Sequence, residues 1–302
     1  MPPETQSSPP LTPPTKDERD SSLVSRVIEH IKNRREGRDL TTSPWVAYSL
    51  SLQEYQELQL ELERDESLWG FVQEKLRYDY FSSASRLVIR RPTALHEQYI
   101  INIVEEIQAQ LISVRDNSAD FASKIRSRGP ASIKSLDEEY TTHDPDAQFR
   151  HLNASFPGVV IEISYSQKRK DLGRLANDYI LGSESDIQVV LGLDIEDKTS
   201  KVATISVWRP NIITNSVGKK ERIAQLIAAN HVLRDTNGNP GTGALLLRLR
   251  DFAPAALAGA DLRDPIILSV RKLCSLLDDA EYAVSFVGRP IGIRANAVAS
   301  FL

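Results

Sequence analysis

HDPDAQFRHLNASFPGVVIEISYSQKRK, residues His143 to Lys170, is the stretch on which the reading of the fold turns. Two strand-like runs, about Asp146 to His151 and Gly158 to Tyr165, flank a loop, and each carries a carboxylate. If the loop is symmetric about Ala154, Asp146 faces Glu162, Ala147 faces Ile161, Gln148 faces Val160 and Phe149 faces Val159. Side chains alternate along a strand, so one face collects Ala147, Phe149, Val159, Ile161 and Ile163. The other face collects Asp144, Asp146, Gln148, Glu162, Ser164 and Ser166. Apolar and polar residues of both runs thus segregate together.

Directly opposed residues have Cβ atoms roughly 4.5–5.5 Å apart, where like charges are destabilising. Opposed carboxylates at Asp146 and Glu162 therefore need a reason. A hard divalent cation such as Mg²⁺, which takes oxygen ligands and would bridge both acids and a substrate phosphate, is one. A shared proton, a nearby arginine (Arg150 or Arg174) and full solvation are the others.

Outward from this stretch, a helix is predicted from about Lys168 to Leu181, with Leu172, Leu175, Ala176, Tyr179 and Ile180 on one face and Gly182 ending it. Lys168 is in phase with that stripe, so its stem can run toward the sheet and its ammonium toward the carboxylates. Arg169, Lys170 and Arg174 add positive charge where the helix dipole disfavours it, which suits an anionic partner or a solvated turn balanced by Asp171. Upstream, Thr93 is a plausible cap for a helix through about Val114, with a stripe of Ile100, Ile103, Val104, Ile107 and Leu111. His96 and Glu97 flank that stripe. Glu97 is the acid of this helix placed to reach a buried site, or else a carboxylate stabilised by the helix N-terminus; His96 reads as a core-edge histidine. Ala131 to Tyr140 alternates as a strand, and IQVVLGLDI and KVATISVW are two more. The order is helix, three strands, helix, two strands, which predicts a mixed α/β (α+β) unit with a sheet of four to five strands.

The rest of the chain frames this unit. Residues 1–20 hold six prolines among polar residues and read as a disordered tail. Residues 21–90 read as an N-terminal helical region and 91–302 as the α/β domain with a C-terminal strand and helix extension. In the first, Val24, Val27, Ile28 and Ile31 mark one helix, SLQEYQELQLELERD capped by Ser51 a second, and SLWGFVQEKLRYDYF a third. SRLVIRRP reads as a short strand or linker. In the extension, ERIAQLIAANHVLR reads as helical, ALLLRLRDF as a strand and DPIILSVRKLCSLLDDAEYAV as a helix.

Composition narrows the function classes. A net charge of −4 over 302 residues gives no global sign of nucleic-acid binding, so any such role rests on local basic patches. Cys274 is the single cysteine, which excludes a disulfide framework and a cysteine-rich zinc site. Five histidines are scattered, and no Ser-His-Asp or Cys-His pattern is visible. No signal segment or membrane-length apolar run occurs, so a cytoplasmic or nuclear protein is expected.

Pro145-Asp146, followed after an apolar strand by Glu162-Ile163-Ser164, resembles the PD-(D/E)XK signature of the restriction-endonuclease-like nuclease superfamily. The element order from about Thr93 to Trp208 resembles that superfamily's core. FPGVVIEISYSQ and SVWRP are similar to a fungal group bearing such a core. The resemblance implies Asp146 and Glu162 as metal ligands, with Glu97 at a position where many members carry a further acid. It implies Mg²⁺ or Mn²⁺ as cofactor, nucleic acid as substrate and phosphodiester hydrolysis as the reaction. The chain departs from the signature at Ser164, where the family has lysine; Lys168 or Gln167 is the expected substitute, orienting water or stabilising the developing charge. A catalytically silent member that binds protein or nucleic acid, using its N-terminal helices as an interaction module, is the alternative.

Overall fold

The structure is a computed structural model that describes residues 16–39, 45–137, 140–165, 169–196, 200–259, 262 and 264–286. The chain divides into two compact units at Arg91/Pro92. Most of the expected N-terminal tail lies outside the described residues, and the first helix already begins at Lys16.

The first unit contains α1 (Lys16–Arg35), β1 (Trp45–Ser49), α2 (Leu52–Arg64), α3 (Glu66–Lys75), β2 (Arg77–Phe81) and β3 (Arg86–Arg90). Ser51 caps α2 as its sequence predicts: its hydroxyl accepts from the Glu54 N–H, and the Glu54 carboxylate accepts from the Ser51 N–H. Val24, Val27, Ile31, Leu58, Leu62, Leu68 and Val72 bury one stripe of each helix against Tyr80, Leu87 and Ile89. The unit is less purely helical than its sequence suggests, because β1, β3 and β2 form a three-stranded antiparallel sheet. The helix read through Tyr80 stops at Lys75, after which Arg77–Phe81 pairs with β3. Arg90 Nε and Asp79 Oδ2 form a buried ion pair at 2.9 Å across that sheet.

The second unit is a mixed α/β structure. It contains α4 (Ala94–Ser113), α5 (Ala119–Ala122), β4 (Ile125–Ser127), β5 (Ala147–His151), β6 (Val159–Tyr165), α6 (Arg169–Gly182), β7 (Val189–Ile195), β8 (Ala203–Thr214), β9 (Lys220–Arg234), β10 (Ala244–Arg248), β11 (Pro265–Ser269) and α7 (Val270–Phe286). Strands β4 to β9 form one six-stranded sheet in sequence order. Each pair is antiparallel except β6 and β7, which run parallel with α6 as the crossover between them. The β5–β6 register pairs Ala147 with Ile161, Gln148 with Val160 and Phe149 with Val159, as symmetry about Ala154 predicts.

Period-2 alternation gives this sheet two different faces. Ala147, Phe149, Val159, Ile161, Ile163, Val189, Leu191, Leu193 and Ile195 join a core that includes Tyr99, Ile103 and Ile107 of α4 and Leu273 and Leu277 of α7. On α6, Leu172, Leu175, Ala176, Tyr179 and Ile180 are all buried. Gly192 lies beneath this helix because a Cβ there would stand 2.9 Å from the Trp208 ring and 3.1 Å from Leu172 Cδ1.

Four expectations are corrected. The first strand of the sheet is Ile125–Ser127, while the described residues of 131–140 contribute one bridge, Ile133 to His143. The sheet has six strands, not four or five. ERIAQLIAANHVLR is the body of strand β9, paired with β8 across an Asn215–Lys219 turn. Pro265–Ser269 is strand β11, and the helix starts only at Val270. Gln110 of α4 holds β11 by accepting from the Ile267 N–H (2.7 Å) and donating to its carbonyl (2.8 Å).

Gly158, at the entrance to β6, sits against backbone: a Cβ there would meet Phe252 C at 2.1 Å and Asp251 O at 2.4 Å. Overpacking costs about 1–3 kcal/mol even where neighbours can yield, and backbone yields least. Gly158→Ala is therefore expected to remove at least about 3 kcal/mol from the unfolding free energy in urea denaturation. Gly173→Ala, on the exposed side of α6 with only Trp208 Cζ2 at 4.0 Å, is expected to add about 0.5–1 kcal/mol.

Candidate functional site

The site forms where β5, β6 and β7 meet the start of α4 and the middle of α6. Asp146 immediately precedes β5, so the backbone ladder to β6 ends there. Its carboxylate continues the ladder, Oδ2 accepting the Ile163 N–H at 2.7 Å. The same oxygen lies 3.1 Å from Nε2 of His96. A carboxylate oxygen accepts, so the His96 Nε2–H is the donor of this contact. Thr93 caps α4 by accepting the His96 N–H at 3.3 Å, which fixes the first turn that delivers this ring.

Glu162, 1 % exposed, points to the polar face of β6. Tyr179 of α6 donates its hydroxyl to Glu162 Oε1 at 2.7 Å. In the parallel register Glu162 neighbours Gly192, and Ser164 neighbours Asp194. The Ser164 hydroxyl donates to Asp194 Oδ1. Three carboxylates, Asp146, Glu162 and Asp194, thus occupy neighbouring strands, each buried and each accepting from an uncharged or imidazole donor.

A second polar group adjoins the first. His143 Nε2 and Asp178 Oδ2 are 3.0 Å apart, with the His143 ring edge-on to Tyr179 at 5.6 Å. Asp144 accepts from the Ser132 hydroxyl at 2.6 Å, and Gln148 donates to the Ala131 carbonyl. These bonds close the segment after β4 over the polar face.

The residues expected from sequence divide into three groups. Asp146, at the entry to β5, and Glu162 of β6 stand at adjoining strands, the first held by His96 of α4 and the second by Tyr179 of α6. Glu97 does not join them: it is exposed in the first turn of α4, and one residue of helical phase turns His96 inward instead. Lys168 and Gln167 lie outside the described residues, as does Ser166. Among the described residues, no group of three or more His, Cys, Asp or Glu side chains is arranged to hold a metal ion.

Asp194 and Tyr179 are participants the sequence pattern did not reveal, and His96, which reads there as a core-edge histidine, holds Asp146. Aligning VVIEISY with VVLGLDI as parallel neighbours sets Ser164 against Asp194, a signal present in the sequence. Tyr179 read only as apolar stripe, since nothing local shows where its hydroxyl ends.

Comparisons with profiles of known families, with curated proteins and with solved structures found no match.

The Tyr179 hydroxyl is the donor to Glu162 that α6 provides at this face. A hydrogen bond to a charged group contributes about 1.5–3 kcal/mol, so Tyr179→Phe is expected to cost that much in urea unfolding. In a Glu162→Gln background the cost should fall by at least half; equal costs in both backgrounds would break the pairing.

Proposed function

We propose that residues 92–302 act on nucleic acid as a metal-dependent phosphodiesterase of the PD-(D/E)XK type. Support comes first from topology. Helix α4, antiparallel strands β4, β5 and β6, helix α6 and parallel strand β7, with short α5 inserted after α4, follow in an order similar to that core's. The observation that carries the reading is the carboxylate of Asp146, which follows Pro145. It crosses to the next strand and takes the Ile163 N–H, one residue beyond Glu162.

The reading implies Mg²⁺ or Mn²⁺. Asp146 and Glu162 offer carboxylate oxygens, the donor type such ions take, and are the residues that would hold one. An ion bound there supplies polarisation of a phosphoryl oxygen and a more acidic water. The chain's own contribution is orientation. His96 and the Ile163 N–H hold Asp146 in one position, and Tyr179 does the same for Glu162. Ser164 at the lysine position donates to Asp194 and brings no positive charge. The cation this chemistry uses must therefore come from elsewhere, and Lys168 is the sequence candidate.

The closure of the polar face favours a second reading, a catalytically silent member that binds its partner. Glu162 is 1 % and Ser164 0 % exposed, which leaves no open path to them among the described residues.

A cleavage assay on plasmid, single-stranded DNA and RNA separates the two. With Mg²⁺ or Mn²⁺ the wild type is expected to cleave at least one substrate, and Asp146→Asn and Glu162→Gln to lose at least about a hundredfold, the scale of a lost electrostatic contribution at a reacting phosphate. Cleavage that survives in both variants points to a contaminant and removes the proposal. A folded wild type that cleaves nothing selects the silent reading.

A further inference from the structure

The polar face of the six-stranded sheet continues beyond the carboxylates to its β4 edge, and there its charge reverses. Arg126 of β4 is directly opposite Arg150 of β5. Arg128 donates its backbone N–H to the Gln148 carbonyl at 3.0 Å, which places it two residues further along the same row. Gln148 pairs with Val160, two residues before Glu162, so by alternation the arginine row lies on the face that carries Glu162. Arg150 stands four residues from Asp146, on the order of 13 Å at roughly 3.3 Å per residue.

Like charges directly opposed across a strand pair are destabilising, and this chain is acidic overall with a pI near 5.8. Among the described residues no carboxylate is paired with Arg126, Arg128 or Arg150. Arg126 donates to the carbonyls of Ser123 and Ile125, and Arg150 to that of Ser155 at 3.4 Å. Arg150 Nε is buried and makes no hydrogen bond among the described residues. Burial, and then the charge of Arg128, pulls the Arg150 guanidinium below its ordinary pKa. Each guanidinium carries five N–H donors in a planar fork, so most of this donor capacity is unspent.

We propose that Arg126, Arg128 and Arg150 form a docking row for the phosphodiester backbone of a nucleic-acid strand. The row rests on the reading of the acid pair as a phosphodiesterase site, because it grips the same strand on the same face. The occupant follows from charge: three guanidinium groups stand in one row with no carboxylate partner among the described residues, flanked along the chain by Ser123, Ser127, Gly129 and Pro130, which suits a polyanion. Lys124 adjoins the row but is already paired with Asp120 at 2.6 Å. The opposed arginines are then a cost carried by the free protein and relieved by phosphate between them.

Binding is measured in EDTA, by anisotropy of labelled single-stranded DNA, duplex DNA and RNA, with the wild type and with Asp146→Asn. Cleavage is thereby excluded, and failure of this proposal is read separately from failure of the phosphodiesterase. The R126Q/R128Q/R150Q variant is expected to bind at least tenfold more weakly at 0.1 M salt. Its log–log salt slope should fall by about 2 units for single strands, three contacts at about 0.7 each. R126Q alone should lose about a third of that slope and unfold no earlier than the wild type, since it relieves a like-charge pair. R271Q, on the exposed side of α7, should bind as the wild type does. Unchanged affinity and slope in the folded triple variant overturn the proposal. So does a wild type that binds none of the three probes at 50 mM salt, or displacement of the probe by poly-glutamate as effectively as by unlabelled DNA.

Discussion

Burying carboxylates is the constraint around which the second unit is arranged. Asp146, Glu162 and Asp194 are each under a tenth exposed, and an ionised carboxylate removed from water is tolerated only with donors in place. Those donors come from different elements: His96 from α4, the Ile163 N–H and the Ser164 hydroxyl from β6, and Tyr179 from α6. Both helices are thus tied to the strands by polar contacts as well as by apolar packing. Displacing either would strand a charge in a dry interior, a larger penalty than the loss of a few methylene contacts. The sheet can carry an apolar layer on one face and a charged layer on the other because each face has its own helical cover.

The two signs of charge on the polar face divide by strand. Carboxylates occupy β6, β7 and the entry to β5, while guanidinium groups with no carboxylate partner among the described residues occupy β4 and the far end of β5. Had the arginines stood beside the acids, the two sets would neutralise each other and neither would be available to a ligand. Separation along β5 keeps both charges uncompensated by one another. It also explains why net charge is a poor guide to this chain, since the acidic total hides a local basic edge.

Much of the central unit was legible because its strands alternate strictly. The HDPDAQFRH and PGVVIEISY runs each bury two distinguishable faces, so period 2 sets both register and facing, and the observed pairs follow. The donors were not legible, because they arrive from segments whose approach is tertiary. His96 rather than Glu97 turns inward on a helical phase difference of one residue, too fine for a sequence pattern to resolve. Strand β9 failed for a different reason. Its Ile223, Leu226 and Ile227 lie on a ribbon that projects with much of its surface exposed, so no buried face imposes alternation. Register shifts near Ala203, Ile205 and Val207, and Asn230 at φ +47°, break what alternation remains. Apolar residues at such spacing imitate a helix.

Helix α4 is where the chain's order in time meets its order in space. Its Tyr99 donates to the Leu273 carbonyl at 3.2 Å, and its Gln110 grips Ile267, partners separated by 174 and 157 residues. During synthesis α4 emerges long before either partner exists, and the part of its apolar stripe that α7 covers stays open until α7 has been made. Contacts of such separation are gained only after a large loss of chain entropy, which places this closure among the late, slow events of folding. Until then the apolar side of the newborn unit is only partly covered, the form in which chaperones and aggregation compete for it.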